Sequence, residues 1–159
     1  MSGLSAIIVG CGDVGGRLAR QLLAKGWQVS GLRRSVAQLP EGVAAIAADL
    51  SDPAIPQAWP QRSPDYLVYC VAASQHDEAG YQSAYVDGLR YVLAWLAERG
   101  QRPRRLLFVS SSSVFAQKDG GWIDETAPTE PEGYSGKVML EAEGLALASG
   151  IPASVIRLT

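Results

Sequence analysis

Residues 7–27 read IIVGCGDVGGRLARQLLAKGW: a short apolar run, a glycine-rich turn, then an amphipathic segment of helical period. Gly10, Gly12 and Gly15 fit G-x-G-x-x-G in the strand–turn–helix setting that makes the pattern informative. The three glycines serve different ends, with Gly10 suited to a tight turn, Gly12 to close approach of backbone to a pyrophosphate, and Gly15 to packing of helix on strand. A helix that starts near Asp13 aims free N–H groups and about half a positive charge at the turn, an environment suited to phosphate. Gly10, Gly12, Asp13, Val14 and Gly15 are therefore the candidate dinucleotide contacts, and the alternative is a βα turn that binds nothing. Asp13 has two readings, a contact of the ligand or an N-cap that satisfies open helix amides.

Working outward, strand-like and helix-like patterns alternate, the signature of a parallel sheet covered by helices on both faces. Strands are expected over 6–9, 28–32, 44–47, 66–70, 106–110 and 154–157, where short Ile/Val/Leu runs suit burial on both sides. Helices are expected over 13–25, 81–99 and 134–149, with shorter turns after Ser35 and Pro53, and Gly26, Gly100 and Gly150 follow the three helices as left-handed caps. Right-handed crossovers predict one three-layer α/β/α domain over 1–159, a doubly wound Rossmann sheet in order 3-2-1-4-5-6. Residues 117–133, with Asp119-Gly120-Gly121, Pro128 and Pro131, read as a surface loop beside the site.

Composition narrows the partners. The chain has 159 residues, a formal charge of -2 and no Lys/Arg run, which argues against nucleic acid or an anionic membrane surface as partner. No apolar run approaches the roughly 20 residues of a membrane span, so a cytoplasmic protein is expected. Cys11 and Cys70 have no metal-ligand spacing and read as reduced thiols, Cys11 as a small buried side chain; His76 is the single histidine, so no metal site is expected.

Charge bears on the cofactor. The end of the second strand reads Ser30-Gly31-Leu32-Arg33-Arg34, with no acid to hold a ribose 2′-hydroxyl. A guanidinium matches a 2′-phosphate in planar, bidentate fashion, so Arg33 and Arg34 favour NADP, with NAD as second choice; the alternative is a solvated surface pair. The helix over 81–99 carries two apolar stripes, one with Tyr81, Tyr85, Leu89, Val92 and Leu96, the other with Ala84, Gly88, Tyr91 and Trp95. That exceeds the arc of roughly 100° a surface helix needs. Either loops of the same chain cover the excess, or two copies pair through these helices as a homodimer.

With these elements placed, nearly the whole chain resembles the N-terminal part of an extended short-chain dehydrogenase/reductase, the NAD(P)-dependent epimerase/dehydratase group. Ala48-Asp49-Leu50-Ser51-Asp52 is similar to the family's acidic dipeptide after the third strand, which implies that Asp49 and Leu50 lie by the adenine. Val71-Ala72-Ala73 resembles the segment that passes under the cofactor ribose, and IRLT resembles the sixth strand and its exit. VSSSSVFAQ resembles the fifth-strand motif, which implies Ser111 as the catalytic serine that orients the reacting oxygen.

The family's tyrosine and lysine stand four apart on a helix; here Lys137 aligns with the lysine, but the position four before it is Gly133 and Tyr134 is three before. Steps of three and four share a helix face, so Tyr134 and Lys137 are the candidate acid–base pair. Equally, Tyr134 reads as a surface tyrosine in a Pro/Gly-rich loop. The resemblance implies hydride transfer at an alcohol or ketone carbon, possible nucleotide sugars included, and a further C-terminal substrate region absent from these residues, without which this piece is expected to be inactive. The alternative is an NADP-binding regulatory or sensor protein without turnover.

Overall fold

The computed structural model describes residues 3–117 and 119–159; Lys118, inside the expected loop, lies outside them. Six strands, β1 (Ser5–Val9), β2 (Gln28–Arg33), β3 (Ala44–Ala47), β4 (Tyr66–Tyr69), β5 (Arg105–Ser111) and β6 (Ala153–Leu158), form one sheet. Their order is β3-β2-β1-β4-β5-β6 and every pairing is parallel, as expected of a Rossmann winding. Strand alternation divides the core. Ile7, Val9, Leu67 and Tyr69 face one way, toward α3 (Gly88–Glu98) and α4 (Tyr134–Leu147), while Ile8 and Val68 face Ala19 of α1 (Asp13–Ala24). Gly26, Gly100 and Gly150 take positive φ, as expected of the caps.

The helix expected over 81–99 starts earlier and is not regular. It opens as α2 (Glu78–Tyr81), capped by Asp77, whose carboxylate accepts from the Gly80 N–H at 2.7 Å, and passes through a π turn, Gln82–Asp87, into α3. The cause lies beneath it. Tyr69 is fully buried, stacked 5.8 Å from Phe108, and its hydroxyl donates to the Ala84 carbonyl at 2.5 Å. That carbonyl is diverted from the helix, and the Gly88 N–H reaches back five residues to the Ser83 carbonyl. A Cβ on Gly88 would collide with the same phenol, so the π turn and Gly88 form one device. Burial, then the neighbouring Tyr85 and Asp87, pushes the Tyr69 phenol far above its ordinary range, so it stays a donor.

The apolar excess of this helix is taken up in part within the chain. The Trp95 indole donates to the Pro53 carbonyl at 2.9 Å and meets Trp59 edge-on at 5.3 Å. Trp59 in turn donates to Gln101 at 2.9 Å, and the Gln101 amide donates to the Pro60 carbonyl at 2.8 Å. The connection between β3 and β4 is thereby strapped over α3, leaving Trp95 2% exposed. Trp95 is thus a core residue of the single chain and not a face left for a partner.

Trp95→Ala should lower the free energy of unfolding by about 3–5 kcal/mol, the usual cost of emptying a buried tryptophan site. Urea denaturation measures it, and a loss typical of a surface residue would contradict the strap.

Candidate functional site

The glycine turn is built on backbone proximity. Gly10 has φ 85°, and a Cβ there would sit 2.6 Å from the Cys70 carbonyl oxygen and 2.7 Å from the Val71 Cα. The Gly10 and Cys11 N–H groups both donate to the Leu32 carbonyl, at 3.0 and 3.1 Å, which ties the turn to β2. A Cβ on Gly15 would lie 2.9 Å from the Ile8 side chain, so Gly15 serves the packing of α1 on β1 and does not line the crevice. At Gly12 a Cβ would meet nothing within 4 Å: the backbone is bare where the turn opens. Gly12 is the N-cap of α1 and no side chain caps that end. The N-cap reading of Asp13 is therefore corrected: Asp13 is the first helical residue, and its carboxylate faces Arg17 at 3.3 Å across the exposed surface.

The turn opens on a crevice of about 750 Å³ along the C-terminal ends of the strands. Gly10, Gly12, Asp13 and Val14 line it from the glycine turn and α1, Arg33 and Arg34 from the end of β2, and Asp49 and Leu50 from the segment after β3. Val71 and Ala72 line it after β4, and Ser111 ends β5 in its wall. Ala73 does not; its N–H donates to the Tyr85 hydroxyl at 3.3 Å. Arg33 is held by the Cys11 carbonyl at 3.4 Å and the Gln38 amide oxygen at 2.9 Å, partners without formal charge, so its positive charge faces the crevice uncancelled. Hydrogen bonds from the Ser51 N–H and hydroxyl, with Arg34 nearby, hold the Asp49 carboxyl below its usual range. Cys11 is fully buried and burial pushes its thiol up, so it is a packing residue. No group of side chains among the described residues is arranged to hold a metal ion.

An extended dinucleotide suits these residues. The open space at Gly12 admits a pyrophosphate, the uncapped start of α1 offers N–H donors to it, and Arg33 and Arg34 provide charge at one end. β2 and β5 stand three strand spacings apart, about 14 Å, so a ligand spanning Arg33 and Ser111 must be long.

The other expected site residues are placed differently. Tyr134 begins α4, and its hydroxyl donates to the His76 carbonyl at 2.8 Å. Its ring meets Tyr81 at 90° and 5.3 Å, and Tyr81 meets Tyr85 at 5.1 Å. This aromatic chain faces Tyr134 toward α2. Lys137 is exposed, and neither residue lines the crevice that Ser111 lines.

Sequence reading missed Glu143. Its side chain is 5% exposed, and it accepts from the Ser110 hydroxyl at 2.6 Å and from Arg157 through two bonds, at 3.0 and 2.7 Å. Arg157 also lies 4.9 Å over the Phe115 ring, and Glu143 holds its guanidinium pKa above the ordinary value. One carboxylate thus joins α4 to β5 and β6 next to Ser111. The available signal was an acid at an inward position of an apolar helix, paired with an arginine in a strand.

The NAD dependent epimerase/dehydratase family matches residues 6–159, and the chain belongs to that family. A solved protein from Methylobacillus flagellatus, assigned as an NAD-dependent epimerase/dehydratase, is 39% identical with a TM-score of 0.77, over 99% of this chain and 55% of its own. A Burkholderia cenocepacia protein assigned as an epimerase is 25% identical at a TM-score of 0.78, over 97% of this chain and 53% of its own. The Bordetella bronchiseptica enzyme WbmG, solved with NAD and UDP, is 19% identical at a TM-score of 0.76, over 98% and 53%, a likeness of fold. The chain therefore spans about half the length of these relatives. No curated protein matches.

Glu143→Ala should destabilise the fold by about 3–5 kcal/mol, because it strands Arg157 and Ser110. Arg90→Ala, which breaks the exposed pair with Glu141 at 3.7 Å, should cost less than about 1 kcal/mol. Equal losses in denaturant melts of the two variants would refute the difference in burial.

Proposed function

We propose that the crevice binds a dinucleotide, NADP in preference to NAD, and serves hydride transfer at an alcohol or ketone carbon, a nucleotide sugar being one such substrate. The observation that carries this reading is the open space at Gly12 beside the uncapped start of α1, on a crevice with Arg33 at one end and Ser111 at the other. When bound, the nicotinamide supplies hydride exchange. The turn at Gly12 and the start of α1 at Asp13 and Val14 hold the phosphates, with Gly10 shaping the turn; Arg33 and Arg34 read the ribose phosphate, Asp49 and Leu50 flank the adenine, and Val71 and Ala72 pass under the ribose. Ser111 orients the reacting oxygen. Its hydroxyl accepts from the Ser113 N–H at 3.1 Å, which directs its own proton outward to an acceptor. A substrate region following these residues completes the pocket. No described helix is long and apolar enough to cross a membrane and both thiols are free, which supports a cytoplasmic protein. The assembly proposed is a homodimer paired through the outer faces of α3 and α4.

A second reading, a dinucleotide-binding regulator without turnover, is favoured by one observation: the Tyr134 hydroxyl is engaged by the His76 carbonyl. Tyr134→Phe separates the two in a chain that carries the substrate region. Loss of about a hundred-fold or more in turnover supports a proton role for Tyr134. A variant of unchanged rate, or a parent protein with no turnover at all, removes that role.

NADPH should bind at least about ten-fold more tightly than NADH, and Arg33→Ala should remove most of the difference, since a charge-assisted contact to phosphate is worth that much. Fluorescence titration of both cofactors measures it. Equal affinities in the parent protein overturn the preference for NADP.

A further inference from the structure

The crevice takes one residue from α4, Met139. Two locks set the rotation of this helix. Gly136 lies so close to the Ser113 carbonyl and Pro131 that a Cβ would collide with both, and Glu143 clamps Ser110 and Arg157. Gly136, Met139 and Glu143 follow one another at steps of three and four, so both locks act on the face that holds Met139. The buried residues Gly136, Val138, Met139, Ala142, Glu143 and Ala146 complete that face. At about 100° per residue, Lys137 stands about 200° from Met139, on the opposite side of the helix. Rotating the helix would break both locks and expose Met139, which is 3% exposed.

We infer that Met139 of α4 packs against the bound dinucleotide, at the ring remote from Arg33. The inference rests on the dinucleotide reading of the crevice. Met139 shares the wall with Ser110, Ser111 and Leu158, at the β5–β6 end, whereas Arg33 and Asp49 line the β2–β3 end. A thioether is flexible and polarizable and packs favourably against the edge of a planar ring. It brings no charge, so α4 offers this ring a soft apolar contact. The β5–β6 end of the crevice thereby holds the ring by dispersion.

The composition provides a direct test. The chain has two methionines, Met1 and Met139, so a spectrum of protein labelled with methyl-13C methionine carries two methyl resonances. Met139→Leu, a volume-conserving change, identifies the second by its loss. On titration with NADPH or NADH, the Met139 resonance should shift and saturate together with nicotinamide fluorescence. Saturable binding with an unmoved Met139 resonance overturns the assignment. Absence of binding by either cofactor overturns the dinucleotide reading, and this assignment with it.

Discussion

The contact on which the site depends is the approach of the Gly10 backbone to Cys70 and Val71 at the end of β4. A left-handed φ turns the chain from β1 into α1 there, and only a residue without a Cβ fits the gap. Because the turn is that tight, the Gly10 and Cys11 amides fall onto the Leu32 carbonyl, and the Cys11 carbonyl is left to accept from Arg33. One backbone conformation therefore sets where α1 begins, how β1 joins β2 at their upper ends, and where the guanidinium stands. The bare side of Gly12 is a consequence of the same turn.

Two further devices hold α3 and α4 in place, and they differ in kind. The strap over α3 is made of indole and amide groups, Trp59, Trp95 and Gln101, which bury large apolar area while every polar atom finds a partner. The clamp beneath α4 is ionic. Glu143 and Arg157 lose water when buried, and their mutual bonds offset that cost only while both are present, with Ser110 taking a further lone pair. An ionic clamp of this kind tolerates little sliding, which suits a helix whose rotation decides which side chain enters the crevice. The tryptophan strap, by contrast, contributes bulk stability at a distance from the site.

The winding, the strand order and the glycine turn were legible because each rests on local pattern: two-sided apolar strands, helical periods between them, and glycines at fixed steps. The candidate residues within these short segments, from Gly10 to Ala72, largely line the crevice for the same reason; Gly15 and Ala73 instead pack behind it. What was not legible depends on contacts between distant residues. Nothing around Ala84 announces a π turn, since its cause is the Tyr69 hydroxyl fifteen residues earlier. Nothing near Trp95 reveals that Pro53 and Trp59 lie over it. Asp13 was an acceptable N-cap by residue type, yet the glycine before it already occupies that place.

The case of α4 shows the limit most clearly. Spacing places Tyr134 and Lys137 on a shared face, and that geometry is correct as far as it goes. Which face of a helix turns inward is decided elsewhere, by Gly136 against the Ser113 carbonyl and by Glu143 against Arg157. The aromatic chain through Tyr81 and Tyr85 draws the Tyr134 ring to α2 and delivers its hydroxyl to the His76 carbonyl. For that phenol to enter the crevice, a hydrogen bond and two ring contacts must be given up together. A ligand would have to repay them through differential binding to the rearranged state. The arrangement of α4 is thus a property of its packing partners, and the chemistry at the β5 end follows from which of its side chains those partners leave facing Ser111.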